Sequence, residues 1–250
     1  MMWRNRQREL LSDGEWVGFL FSAMLPDLDD VREQHPLATQ SSVHELTLYN
    51  VGNSATEYPG TLELARQLGI KHPKITESGS SVDWQMTTDQ VLVLNLAGTR
   101  ELLAVAYKPN EKNLSKRQRQ LLLLEKTYWD KRKVTWLLIT PSLFDESVGL
   151  KLRETAPWAL GIPSTQAEIE TAARVVQQTI GHTYAYTLQA IAAELGGLAV
   201  AQRALWQGVW SAKIPSDLRT GWRPHLPIEL LTAEDFRGLN PVASRRSAWL

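Results

Sequence analysis

The architecture turns on the stretch TTDQVLVLNLAGTRELLAVAYKP, residues 87–109. Gln90–Leu96 and Glu101–Tyr107 are apolar on both faces, with Val and Leu throughout. Strands of that kind are buried on both sides, so helices should cover the sheet front and back. Ala97–Arg100 contains Gly98 and fits a tight hairpin turn between the runs. With the turn centred between Gly98 and Thr99, antiparallel pairing sets Asp89 directly across from Lys108. Pro109 then stops the second strand. Asp83, a rival acid, falls beyond the strand and outside the hairpin.

An acid and a lysine sharing one edge of a buried sheet can be an ordinary ion pair. They can also be half of a metal-dependent phosphodiesterase site. That chemistry needs a carboxylate to hold a hard cation and a second charged group to orient the attacking water. Asp and Lys on adjacent strands form the skeleton of the restriction-endonuclease site, usually Asp followed by Glu or Gln-x-Lys. Here the second half reads Ala106-Tyr107-Lys108. An alanine side chain cannot ligate a metal, whereas the backbone carbonyl of Tyr107 can.

Around this hairpin the elements are well signalled. Ser12 and Glu15 have capping-box spacing at the start of a helix carrying Trp16, Phe19, Leu20, Ala23 and Met24, and Pro26 ends it. Val43–Tyr49 reads as a short extended piece. Ser115–Lys133 reads as a helix with the apolar set Leu121, Leu124 and Tyr128. Val134–Thr140 is another buried strand, stopped by Pro141. Composition changes near Gly161–Ser164. Beyond it, Thr165–Ile180, Thr183–Leu195 and Leu198–Trp210 read as three helices followed by an extended tail, which suggests a winged helix-turn-helix. The expectation is an α/β restriction-endonuclease-like domain over residues 1–162 and a small, mainly helical winged-helix domain over 163–250.

The 250 residues allow one large domain or two small ones, and 43% hydrophobic residues suffice for a core. The chain has no cysteine, which excludes disulfide staples, thiolate zinc sites and a cysteine nucleophile. No apolar run approaches a membrane span. The basic start leads into Glu9, Ser12 and Asp13 rather than an apolar run, so it does not read as a signal peptide. A cytoplasmic protein with no membrane association is expected. Net charge is zero but segregated: Asp27–Glu101 holds 11 acids and 5 bases, and Lys108–Lys133 holds 9 bases and 3 acids. The basic block suits either a phosphate backbone or a solvated helix face. His35 and His72 each precede proline without a neighbouring ligand, so neither reads as a zinc ligand. Trp129, Trp136, Trp206 and Trp210 read as core. Arg32 can contact phosphate or pair with Asp29, Asp30 or Glu33, and the turn before Pro36 makes its segment read as structural.

In order along residues 10–140 stand Ser12-Asp13-Gly14-Glu15; Asp30-Val31-Arg32-Glu33-Gln34-His35-Pro36-Leu37; and Leu68-Gly69-Ile70-Lys71-His72-Pro73. Met86-Thr87-Thr88-Asp89, Val105-Ala106-Tyr107-Lys108-Pro109 and the Leu124-Glu125 to Trp136 segment follow. The ordered set resembles the TnsA family, the endonuclease subunits of heteromeric, target-selecting transposases. The resemblance implies catalytic roles for Glu15, Asp89 and Lys108. It implies Mg²⁺, replaceable by Mn²⁺, held by Glu15, Asp89 and the Tyr107 carbonyl. Glu125 is a further candidate acid and metal ligand, its alternative being a surface ion pair with Lys126 or Arg119. The family usually has glutamine where Ala106 stands. The implied reaction is cleavage of double-stranded DNA at transposon 5′ ends, on the non-transferred strands, beside a TnsB-type transposase. The C-terminal region is implied to meet a TnsC-type ATPase regulator. Thr165–Gly221 holds four bases and four acids, and Leu198–Trp210 has Arg203 as its one cation, a composition suited to a protein partner. A free-standing restriction or repair nuclease and a non-catalytic adaptor are the alternatives, the adaptor because of Ala106.

Overall fold

Four strands with little exposed surface form a mixed sheet at the centre of one part of the chain. They are β1 (Leu28–Pro36), β2 (Thr87–Leu96), β3 (Thr99–Tyr107) and β4 (Thr135–Ile139), in the order β4-β3-β2-β1. The β1–β2 and β2–β3 pairs are antiparallel, and β3–β4 is parallel. This computed structural model describes residues 2–3, 6–7, 10, 12–49, 56–77, 79–220 and 223–249.

The β2–β3 turn differs from the sequence expectation. Leu96 pairs with Thr99, so the turn residues are Ala97 and Gly98, with φ of 51° and 89°. Positive φ at both central residues is the type I′ turn, whose twist matches the flanking strands. The Asn95 side chain accepts the Gly98 N–H at 3.0 Å. Continuing this register sets Asp89 across from Ala106 rather than Lys108.

The parallel β3–β4 connection needs a crossover, and α3 (Lys116–Lys131) supplies it. Ser115 and Gln118 form a reciprocal capping box at its start. Leu122, Leu124, Tyr128 and Trp129 of α3 join Val91, Val93, Ala104, Ala106, Trp136 and Leu138 in one buried cluster. The short helix α2 (Thr61–Gln67) adds Leu64 and Ala65 to it. Residues 45–49 form a 3-10 helix instead of an extended piece. The backbone N–H and hydroxyl of Thr47 both donate to the His44 carbonyl, which closes that turn. The outer edge of β4 is covered: Leu138 donates its N–H to Ser247 Oγ at 3.0 Å and accepts from Ala248 N at 2.8 Å. The Trp249 ring meets Trp136 edge-on.

The chain divides into two units. The sheet unit comprises Glu9–Glu15, Asp27–Thr140 and Ser247–Leu250, and the second comprises Met1–Arg8, Trp16–Pro26 and Pro141–Arg246. The helix α1 (Asp13–Ala23) begins in the first and continues into the second. The expected boundary at residue 162 falls inside the second unit, at the turn between α4 (Glu146–Ala159) and α5 (Gln166–Gln178). There α4 packs with α7 (Leu198–Trp210): Trp210 Nε1 donates to Thr155 Oγ1 at 3.1 Å, and Gln207 Nε2 to the Trp158 carbonyl at 3.1 Å. Gly196, with φ of 79°, closes α6 (Tyr184–Leu195) ahead of α7. After α7 the described residues make two isolated bridges, Thr183 to Pro227 and Ser216 to Leu230, and no strand hairpin. Around the second bridge Asp217 and Leu231 donate their N–H groups to the Glu229 and Pro215 carbonyls, each at 2.8 Å, a pairing too short to show the expected winged helix. The expected extended tail contains a helix, α8 (Ala233–Leu239), capped by Thr232. No described helix is long and apolar enough to cross a membrane.

Candidate active site

Asp89 and Lys108 meet at the ends of adjacent strands. Asp89 Oδ2 accepts the Tyr107 N–H at 2.7 Å and Lys108 Nζ at 3.2 Å. The same Nζ donates to the Tyr107 carbonyl at 2.8 Å. The two side chains are 14% and 31% exposed, so the pair is held in a partly desolvated corner where its attraction exceeds that of a surface pair. Register explains the geometry. Ala106, fully buried, faces Asp89, and Lys108 reaches back diagonally past this methyl group. The Lys108 N–H donates to the Ile139 carbonyl at 3.0 Å, which fixes its backbone against β4.

Glu15 lies in the first turn of α1 and is buried. Ser12 Oγ accepts the Glu15 N–H at 3.2 Å and donates to Glu15 Oε1 at 3.3 Å. Gln90, next to Asp89 in the chain, donates from Nε2 to the Glu15 carbonyl at 3.1 Å. Gln34 Nε2 donates to Glu15 Oε2 at 3.3 Å. Glu15 is thereby tied to β2, the strand that carries Asp89, and to its neighbour β1. Sequence reasoning missed Gln34. The pairs Glu33–Gln90 and His35–Thr88 put it across from Asp89 in register. Its φ of 48° is left-handed, at a cost of ~1 kcal/mol for a side chain with a Cβ.

Glu125 sits in the core rather than on the surface. Its Oε1 accepts Thr88 Oγ1 at 2.8 Å and Trp136 Nε1 at 3.1 Å, and Trp129 Nε1 donates to Thr88 Oγ1 at 2.8 Å. Burial pushes the carboxyl up to about 7. The Asp89 charge adds to that rise, while the two hydrogen bonds and Lys108 oppose it. Lys126 pairs with Asp130 instead. Glu125 thus stands within electrostatic reach of Asp89 and Lys108 without sharing their hydrogen bonds.

Among the described residues no three His, Asp or Glu side chains converge on one point. Asp89, Glu15 and the Tyr107 carbonyl are nonetheless all hard oxygen donors. An ammonium already occupies the point between Asp89 Oδ2 and the Tyr107 oxygen, so positive charge is accommodated there. Mg²⁺ binds through one or two carboxylates and keeps several waters, so Asp89, Glu15 and the Tyr107 carbonyl are the residues that could hold such an ion. The two histidines that precede proline, His35 and His72, are held by neighbours in the fold. His35 packs on Trp129, and burial lowers its pKa. His72 bonds the Pro73 carbonyl and Thr61 Oγ1, each at 3.0 Å.

The basic block splits by burial. Arg132 is buried against the Tyr128 ring and pairs with Glu45 at 3.1 Å. Lys112 in the loop before α3, and Lys116 and Arg119 in its first turn, are exposed. Arg32 lies 4.0 Å from Asp30 and over the Tyr49 ring.

No family model matches the chain. Over 170 residues it is 28% identical to the Transposon Tn7 transposition protein TnsA of Escherichia coli. The alignment covers 68% of this chain and 52% of that protein, so the chain spans about half the length of the curated relative it matches.

Proposed function

We propose that the chain is a Mg²⁺-dependent endonuclease subunit of a transposition system. It cuts the non-transferred strands at transposon 5′ ends beside a TnsB-type transposase. The observation that carries this reading is Lys108 Nζ lying between Asp89 Oδ2 and the Tyr107 carbonyl at the ends of neighbouring strands. Similarity to a transposition protein supports the biological setting.

Mg²⁺, with Mn²⁺ as a substitute, would supply Lewis-acid charge at the phosphate and a more acidic water. Asp89 and Glu15 provide the carboxylates, and Tyr107 provides a carbonyl. The Tyr107 N–H holds one oxygen of Asp89 in place. Lys108 orients the water and offsets charge on the pentacovalent phosphate. Lys112, Lys116 and Arg119 bind duplex phosphates without reading sequence. The helical unit, with Arg203 as the one cation of α7, docks a TnsC-type ATPase. The reaction takes place in the bacterial cytoplasm.

One observation favours a second reading, a non-catalytic adaptor: Ala106 offers no ligand on the side facing Asp89. Cleavage of duplex DNA containing transposon ends, with Mg²⁺ and with or without the transposase, separates the readings. Wild type should nick the 5′ ends with the transposase present, and Asp89→Asn should lose at least about 100-fold of that rate. Cutting without the transposase identifies a free-standing nuclease. Asp89→Asn that supports transposition as well as wild type identifies the adaptor.

A further inference from the structure

We propose that Gln34 is a positioning residue that sets the Glu15 carboxylate for metal binding, a role that rests on the nuclease reading above. A strand residue with φ of 48° departs from the pleat into a region that side chains rarely enter. Its neighbours Glu33 and His35 keep their pairs with Gln90 and Thr88. The distortion is therefore confined to the one residue across from Asp89. Such outliers persist where the surroundings over-determine them.

The side chain is fixed at both ends. A carboxylate only accepts hydrogen bonds, so the amide must turn Nε2 toward Glu15. Its Oε1 then accepts the Thr87 hydroxyl at 3.0 Å. Glu15 is consequently held from two directions. Ser12 Oγ, on the same helix, holds Oε1, and Gln34, on the strand, holds Oε2. The Ser12 contact is enough for a helix cap. The Gln34 contact adds the orientation of the carboxylate relative to the strand pair that carries Asp89.

The test uses the full chain and three readouts: Mn²⁺ binding by calorimetry without DNA, the thermal midpoint, and end cleavage with the transposase. Gln34→Gly removes the amide and takes the left-handed backbone without strain. It should weaken Mn²⁺ binding about 10–100-fold, lower cleavage in step, and melt no lower than wild type. Gln34→Asn tolerates the same backbone and keeps an amide, and it should recover part of the lost affinity. Gln34→Gly with wild-type Mn²⁺ affinity, in a protein whose wild type binds and cuts, overturns the role of Gln34 alone. A lower midpoint in Gln34→Gly, with Asn restoring stability but not affinity, overturns it too. Wild type that neither binds Mn²⁺ nor cuts overturns the nuclease reading, and this role with it.

Discussion

Glu125 links the core to the site through one proton. Its ordinary value is 4.5 and burial carries it to about 7, a difference worth ~3 kcal/mol. The folded state binds this proton more tightly than the unfolded state. Its contribution to stability is therefore complete below pH 4.5 and lost as pH rises through 7. Glu125→Gln stays neutral and can still accept from Thr88 and Trp136. Thermal midpoints in chelator from pH 5 to 8 should fall for wild type and run flatter for Glu125→Gln. Parallel curves would refute the assignment. Asp89 and Lys108 were legible in the sequence because each ends a buried apolar run. The burial of Glu125 was less so, although Leu122, Glu125 and Trp129 recur at helical spacing. They form a stripe one position round from the Leu121, Leu124 and Tyr128 set. Gln34 had no such signal, since a left-handed strand residue leaves no mark on hydrophobic pattern.

At the level of elements, the β2–β3 hairpin was readable as two strands but not in register. Apolar periodicity identifies strands, whereas the turn type depends on φ. The actual register differs by two residues, which keeps every side chain on its expected face. That is why Asp89 and Lys108 still meet. Ala97 holds a φ of 51° in an exposed turn where asparagine is favoured. Ala97→Asn should stabilise the protein by about 0.5–1 kcal/mol. Urea unfolding should show a higher midpoint at an unchanged slope. A lower midpoint would mean the residue 97 side chain is constrained by more than the turn. Residues 45–49 misled for a related reason: their apolar content suits a strand, and the His44 carbonyl interactions make a helical turn.

The whole molecule does not divide where its composition changes. The Gly161–Ser164 stretch is a loop between α4 and α5, and both helices belong to one unit. Nor did sequence show that α1 is shared, because Phe19, Leu20 and Phe21 are all fully buried and leave no polar face there. A fragment of residues 163–250 lacks α4, including the Thr155 partner of Trp210, and should show no cooperative melting transition. Residues 141–246 should regain one. It should lie below that of the full chain, since Asn240 also donates to the Phe21 carbonyl at 2.8 Å. Cooperative melting of 163–250 at the full-chain temperature would contradict this division. The strip that closes the edge of β4 has a bearing on biosynthesis. Ser247 lies 109 positions after Leu138. At roughly 5–20 residues per second, a ribosome makes the strand roughly 5–20 s before its cover. During that interval β4 presents unpaired N–H and C=O groups to neighbouring nascent chains on the same message. The hazard of misassembly is thus set by the order of translation and passes once residues 247–249 emerge.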